Sequence, residues 1–255
     1  MAKFDRLTTL MERFSLSVQP AAVRHATLVV LADSQGAPSK VRFGPAARLD
    51  DMPVQLVLFS AEVDWGGAAN PLVAALPDLV EMNVSGDSET SGLILLMRSE
   101  LLGQRCGSGS VVNRLGEVLI VRLLRAQIEA GTTHTGLLAG LSDVRLSRSI
   151  VAMHDNPGKE WRNDDLAHIA GLSLSRFAGT FQELVGETPA AYLRRWRLTL
   201  ARQDLQRGDR VDSIARRYGY RSPEGFARAF KKHFGESPIA LRPKSAMPRI
   251  RPSSE

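Results

Sequence analysis

Cysteine is nearly missing from this chain: Cys106 is the only thiol in 255 residues. An internal disulfide is therefore excluded, and the composition fits a reducing compartment. Long apolar runs are missing as well; none approaches the ~18 residues that a membrane span requires, so no membrane association is expected. Histidine is sparse and scattered, at His25, His134, His154, His168 and His233. Only His25 falls where the pattern reads as strand, so no histidine–carboxylate cluster can form, and neither a metal nor another cofactor is expected. No Ser/His/Asp set, phosphate-cradling glycine loop or dinucleotide-binding glycine pattern is found, and no enzymatic chemistry is expected. The opening MAKFDRLTTLMERF mixes acids and bases through an amphipathic pattern, unlike a secretory signal. A cytoplasmic location is the expectation.

What is present is a chain of 44% hydrophobic and 24% charged residues, long enough for two domains with a core each. Its charge is unevenly spread. Residues 1–149 hold 14 Lys and Arg against 15 Asp and Glu, a net of −1, whereas residues 150–255 hold 19 against 12, a net of +7. The second part has the charge of a polyanion binder, although solubility alone also produces basic surfaces.

A repeat is more specific. GLSLSRFAGTFQELVGETP (171–189) and GYRSPEGFARAFKKHFGESP (219–238) align with Gly171 on Gly219, 48 residues apart, and then with one inserted residue. Ser173 then falls on Ser222, Phe177 on Phe226, Phe181 on Phe230, Gly186-Glu187 on Gly235-Glu236 and Pro189 on Pro238. Each copy reads as helix, tight turn, helix. Asn163 is the expected N-cap of DDLAHIAG, with acids in the first turn. Gly171 and Gly219 sit where a left-handed residue ends the first helix, and Ser173 and Ser222 can cap the next one. Phe177, Phe181 and Leu184, and likewise Phe226, Phe230 and Phe234, lie on one face of that second helix. Thr188-Pro189 and Ser237-Pro238 supply a cap and an N1 proline for a further helix after each copy. Between the copies PAAYLRRWRLTLARQDLQRG predicts one unbroken helix of ~19 residues, about 28 Å long, a rod suited to spacing two modules by roughly one ~34 Å turn of DNA.

Two helix-turn-helix units on a basic segment point to the major groove of DNA. Phenylalanines that are merely core would explain the stripes, but not duplicated turn chemistry coinciding with concentrated charge. The segment IARRYGYRSPEGFARAFKKHFGESPIALR carries every fixed position, from Ile214 to Pro238, of an I-A-x-x-x-G-[FY]-x-S-x-x-x-F-x-R-x-F-[KR]-x-x-x-G-x-[ST]-P pattern. On these residues, and on LAHIAGLSLSRFAGTFQELVGETPAAYLRRWRL, the chain over 147–244 resembles the DNA-binding domain of AraC/XylS-type transcription regulators. The resemblance implies a first helix-turn-helix at 164–185, a connecting helix at 189–207 and a second motif at 211–234. It also implies double-stranded promoter DNA as partner and contact with RNA polymerase.

With phenylalanine on the core side, base contacts fall to the opposite face: Ser175, Arg176, Gly179 and Thr180 in the first module, and Pro223, Glu224, Gly225 and Arg228 in the second. Arginine pairs bidentately with guanine and glutamate accepts from cytosine, so Arg176 and Arg228 are the expected guanine readers. Gly179 and Gly225 depart from the long polar residues that the resemblance leads one to expect, which favours close approach or shape readout. Ser173, Arg221, Ser222, Lys231 and Lys232 are expected on phosphates, and Phe177, Phe181, Trp196, Phe226 and Phe230 in the core. Arg194, Arg195 and Arg197 of the connecting helix are read equally as phosphate ligands or as a solvated face. The basic, proline-rich tail 245–255 is expected to be disordered.

In the first half ATLVVLADSQGAPSKVRFGPAARL and PVQLVLFSAEVDW read as short strands broken by turns. From about 72 to 135 the pattern turns helical, with SETSGLILLMRSELLG and SVVNRLGEVLIVRLLRAQIEA as candidates. In the latter Val112, Leu115, Val118, Leu119, Leu123 and Ile128 make a broad face that Ile120, Val121 and Leu124 widen. Burial almost all round is expected, shared between barrel packing and a homodimer interface, with Arg122 and Arg125 at its outer edge. GGAANPLVAALPDL, RCGSGSVVNRLGEVLIVRLLR and GLLAGLSDVRLSRSIVAMHDNPG resemble the subgroup of the same family with a cupin-like N-terminal domain. The expected fold class is thus α+β: a small cupin-like β-barrel with a helical appendage in residues 1–135, a linker at 136–146, then the all-α domain. The resemblance implies a small-molecule effector at the first domain; a first domain that only dimerises, or a cupin enzyme fused to a DNA-binding tail, are the rival readings. Cys106, beside Arg105 and ahead of a helix, is a candidate oxidation sensor, against the preferred reading of an inert thiol.

Overall fold

β-branched and aromatic residues in the first half pair into one antiparallel sheet. The computed structural model describes residues 5–14, 16–44, 56–65, 70, 73, 76–131 and 135–241. After a short helix α1 (Thr8–Arg13) come β1 (Ser17–Pro20), β2 (Leu28–Ala32), β3 (Pro38–Phe43), β4 (Val57–Asp64) and β5 (Val80–Asn83). Their order in the sheet is β1-β4-β2-β3-β5. β2 is central, and its Leu28, Val29 and Val30 are fully buried. The expected turn after it is built by Asp33, whose carboxylate accepts from the amides of Gln35 and Ala37 at 2.9 Å each. Register shifts interrupt β2 against both neighbours, which increases local twist. Among the described residues the sheet stays open, with β1 and β5 at its edges: the cupin-like unit is an unclosed sheet and not a closed barrel.

The β5 edge corrects the sequence reading, which placed residues 72–135 in helices. Val80 and Met82 point inward, and Glu81 on the other face pairs with Arg42 at 2.8 Å and Lys40 at 3.5 Å on β3. A strand of four residues between turns carries too little alternation to declare itself. Beyond it, α2 (Ser88–Gly103) and α3 (Ser108–Ala130) agree closely with the two helices predicted. α3 covers the other edge: the Asn113 side chain accepts from the amide of Val18 on β1 at 2.6 Å, and Gly116 is buried against Val18. An edge that presents unpaired amides is thereby closed to further strands.

α3 also departs from expectation. Val112, Leu119, Ile120, Leu123, Leu124 and Ile128 are buried, but Val118 is 48% exposed and Val111 38%. The helix therefore packs on one side only. Arg122, expected at a free outer edge, fastens α2: its guanidinium donates to the Thr90 hydroxyl at 2.7 Å, to Glu89 at 2.9 Å and to Asp87 at 3.2 Å.

Helices α4 (Leu137–Ser142), α5 (Leu146–Asp155), α6 (Asn163–Ala170) and α7 (Leu174–Val185) follow, then α8 (Pro189–Gln206), α9 (Val211–Arg217), α10 (Pro223–Phe234) and α11 (Pro238–Leu241). The stretch 136–146 contains α4, whose Leu137, Leu138 and Leu141 are buried. By internal packing the chain divides into two compact units, Met1–Asp155 with Arg162–Pro189, and Asn156–Trp161 with Ala190–Glu255. The tail 245–255 and His134 lie outside the described residues, and no described helix is long and apolar enough to cross a membrane.

Asp87 is the N-cap of α2, accepting from the Thr90 amide at 2.9 Å. The Thr90 hydroxyl and amide, with help from Arg122, hold its carboxyl down at about 2, against an ordinary 3.8. A depressed pKa contributes stability that is complete above the ordinary value and is lost as pH falls through the folded one. Asp87→Ala is expected to cost about 1 kcal/mol at neutral pH. Denaturant titrations of variant and wild type should converge as pH approaches about 2; an unchanged gap there would refute a charged cap.

Candidate nucleic-acid interface

The first module begins where acids favour a helix start. Asn163 is not the cap; it is the first helical residue of α6, and the Asp165 carboxylate reaches back to accept from the Arg162 amide at 3.1 Å. Leu166, Ala167 and Ala170 are buried. Gly171 ends the helix at φ 66°, ψ 37°, the left-handed region that only glycine enters without strain. α7 then starts after Ser173, whose backbone is extended but whose hydroxyl makes no capping bond. Phe177 and Phe181 are fully buried, edge to face at 5.7 Å between ring centroids. Val185 and not Leu184 completes the stripe; Leu184 is half-buried. Its carbonyl accepts from Gly136 at 2.8 Å.

The second module repeats this plan with tighter fastening. In α9 Ile214 and Ala215 are buried, Gly219 turns the chain at φ 73°, and the Ser222 hydroxyl accepts from the Gly225 amide at 3.1 Å. Phe226 and Phe230 are fully buried. Tyr220, Phe226, Phe230 and Phe234 form a run of rings at 5.2, 5.6 and 4.7 Å, and the Arg202 guanidinium caps it 5.0 Å over Phe234.

Two fastenings were invisible in the sequence. Asp204 on α8 is a buried carboxylate, accepting from the Tyr218 hydroxyl at 2.6 Å and from Arg217 at 2.5 Å; Arg217 also pairs with Asp209 at 2.7 Å. Burying a carboxylate costs several kcal/mol unless its partners are also held in place, and here both donors come from one turn at the end of α9. Arg197 is neither a phosphate ligand nor a solvated face: it donates to the carbonyls of Pro157 at 2.6 Å and Lys159 at 2.7 Å. The carbonyl of Arg217 lies where a Cβ on Gly158 would come within 2.1 Å, so the 156–161 segment can lie against α9 only with glycine at that position. Such partners are 13 and about 40 residues apart and leave no periodic trace. Arg195 lies over the Tyr192 ring at 5.2 Å, and Arg194 is exposed.

Opposite the phenylalanines, Ser175, Arg176 and Gly179 are exposed on α7, while Thr180 sits at the edge, half-buried. On α10 Glu224, Arg228, Lys231 and Lys232 are exposed; Pro223 and Gly225 are half-buried. Arg221 is exposed and Ser222, engaged in capping, half-buried. Trp196 of α8 is buried. Glu224 has its carboxyl lowered by hydrogen bonding at its own amide and then by the Ser222 hydroxyl, with Arg228 one turn on adding to the pull. A cationic ridge of Arg228, Lys231 and Lys232 thus backs directly onto a buried aromatic run, which suits a helix presented to a polyanion. Cys106 is exposed, and its neighbour Arg105 pairs with Glu100 at 2.9 Å. Among the described residues no three His, Cys, Asp or Glu groups gather as metal ligands would.

Comparison with known proteins matches this architecture. A helix-turn-helix domain family covers residues 166–244 and a cupin family covers residues 17–129. PqrA of Proteus vulgaris, named as a probable transcription factor, is 36% identical over 86 residues, 33% of this chain and 70% of PqrA. An HTH-type transcriptional regulator of Haemophilus influenzae is 31% identical over 172 residues, 67% of this chain and 57% of that one. A crystal structure of a Chromobacterium violaceum regulator described as having an AraC-type DNA-binding domain is 28% identical, covering 41% of this chain and 94% of that one with a TM-score of 0.38. The chain belongs to the AraC/XylS-type family of helix-turn-helix regulators, with a cupin-type N-terminal region. It spans 57%, 50% and 59% of the length of the first three curated relatives it matches.

Truncating the packing beneath either exposed face should unfold it. Phe181→Ala and Phe230→Ala are each expected to cost ~3–5 kcal/mol, and Asp204→Ala about 2 kcal/mol, since it strands the buried Tyr218 hydroxyl while Arg217 keeps Asp209. Asp204→Asn, which keeps an acceptor for Tyr218, should cost less. Thermal melts of the four variants check the order; a wild-type melt for Phe230→Ala would mean that the faces of α10 are reversed.

Proposed function

We propose that the chain is a sequence-specific, double-stranded-DNA-binding transcription regulator and not an enzyme. In this reading residues 147–244 carry the DNA-binding module, residues 1–135 form an effector-binding and dimerising domain, and output is promoter occupancy with contact to RNA polymerase, in the cytoplasm. The observation that carries the reading is the cationic ridge of Arg228, Lys231 and Lys232, exposed directly opposite fully buried Phe226 and Phe230. A helix so anchored has one face left, and that face is built for a polyanion. Family membership and the regulators among the relatives support it.

Within that interface Arg228 is the guanine reader of the second module and Arg176 that of the first, with Glu224 turned toward cytosine. Ser175, Gly179, Thr180 and Gly225 shape the approach, while Ser173, Arg221, Ser222, Lys231 and Lys232 meet phosphates. The sequence reading places the homodimer interface on α3; the exposed Leu95, Leu96 and Leu102 of α2 offer a further apolar surface for it. An apolar surface of that kind is what a second copy would cover.

Arg228→Ala should cost ~1–3 kcal/mol of operator affinity and flatten preference at one base pair. Lys232→Ala should weaken all sequences about equally and reduce the slope of log K against log salt by roughly one contact. A base-by-base operator scan of the full chain at several salt concentrations separates the two roles. A uniform loss for Arg228→Ala would demote it to a phosphate contact, and wild-type binding indifferent to salt would overturn the DNA-binding reading.

A further inference from the structure

We infer that the outward face of α3 is a binding site for a small organic monoanion with an apolar body, the effector of the regulatory reading on which this inference rests. The site is a groove of about 490 Å³ between α3, α1 and the residue leading into β1, lined by Met11, Leu16, Arg114, Glu117, Val118, Val121, Arg122 and Arg125. That volume falls in the range of small-molecule sites, roughly 300–1,000 Å³.

Helix geometry arranges the groove. Arg114, Val118, Val121 and Arg125 recur at i, i+4, i+7 and i+11, a single stripe about 16 Å long at 1.5 Å per residue. Two valines therefore form an apolar floor with a guanidinium at each end. Met11 and Leu16 supply the facing wall, and Val118 is 48% exposed in spite of them. Half-exposed between two cations, on a helix that buries its opposite side, Val118 keeps apolar surface open to the groove. A ligand with an apolar skeleton would cover it.

The charges select the ligand class. Arg122 is already occupied by Asp87, Glu89 and Thr90. Arg114 and Arg125 make no hydrogen bond or ion pair among the described residues, although Arg125 is close enough to Asp5 to help lower its carboxyl. Glu117 stands on the same wall, fixed by a 2.8 Å hydrogen bond from the Asn113 side chain. Glu117 offsets one of these two guanidiniums and Asp5 lies close enough to Arg125 to offset part of the other, so the groove carries at most one net positive charge. The groove thus welcomes one negative head group and repels polyanions such as nucleotides, whose second and third charges would meet Glu117.

The site also has a route to the rest of its unit. Asn113, which fixes Glu117, accepts from the Val18 amide of β1 at 2.6 Å, and Arg122, at the groove's other rim, holds the N-cap of α2. A ligand that pulls on Glu117 or Arg122 therefore acts on the sheet edge and on α2 together.

The test is calorimetric titration of the full chain with octanoate, and separately with octan-1-ol and octylammonium, which keep the tail and change the head. Octanoate should bind at least tenfold more tightly than the alcohol, and octylammonium not measurably. The double variant Arg114→Gln/Arg125→Gln should lose tenfold or more of the octanoate affinity, and Val118→Asp should abolish binding. Both substitute exposed positions, so their melts should match wild type; if Val118→Asp melts early, Val118→Gln replaces it. Octanoate that binds no better than octanol, fails to bind, or binds the double variant as well as wild type overturns the inference. Fluorescence anisotropy on operator DNA, run on the same samples, keeps the two readings apart: lost DNA binding with intact octanoate binding fails the regulator and spares the site, and the reverse fails the site alone.

Discussion

Two buried phenylalanines per helix, four residues apart, set the terms for the nucleic-acid interface. A twelve-residue helix has no stable orientation of its own; Phe177 and Phe181 in α7, and Phe226 and Phe230 in α10, give it one. Each buried ring is worth about 2–3 kcal/mol of apolar transfer. The outward residues are thereby released from structural duty. Arg228 sits about 200° from both phenylalanines, so its direction is decided by side chains it never touches.

What holds the anchored helices in place differs between the copies. The second module is tied by the buried Asp204 carboxylate, which gathers Arg217 and Tyr218 at the end of α9, and by Ser222 at the start of α10. In the first, Ser173 makes no such bond, and the acids of α6 work through Asp165. A repeat that shares glycine, serine and phenylalanine positions has thus kept the turn and the stripe while its polar fastenings diverged. Turn geometry is dictated by backbone sterics and can be met by few residues; a buried hydrogen bond can be supplied from many directions.

That distinction also explains what the sequence made legible. The bounds of α2, α7, α8 and α10 follow from caps, glycines and 3.6-residue periodicity, all local, and the structure reproduces them within a residue or two. β5 was missed because four residues between turns carry little periodicity. α3 was read as buried all round because composition counts apolar residues without saying which are covered, and Val111 and Val118 stay 38% and 48% exposed. The roles of Asp204 and Arg197 depend on contacts across 13 or about 40 residues, so no window on the sequence could show them. Candidate readers were legible as a face, by exclusion from the aromatic stripe, and Thr180 shows the limit of that logic: a residue about 90° from the stripe is half-buried.

The two exposed faces are also unequal in charge, and this asymmetry bears on how a double motif would work. On α7 the outward residues include Arg176, Gly179 and Glu183, with cation and carboxylate offsetting each other; on α10 they include Arg228, Lys231 and Lys232 against Glu224. Counterion release scales with the phosphates neutralised, so under the proposed function the second module supplies most of the salt-dependent affinity. Gly179 is exposed, with open space where a Cβ would stand, so the first helix can come close to its target where it lacks the charge to be drawn there. Affinity that resides in one module leaves the other free to discriminate: its contribution is small for any sequence and is therefore easily made decisive by shape. Under the proposed function, a rise in the weaker module's contact would change occupancy without altering the stronger one.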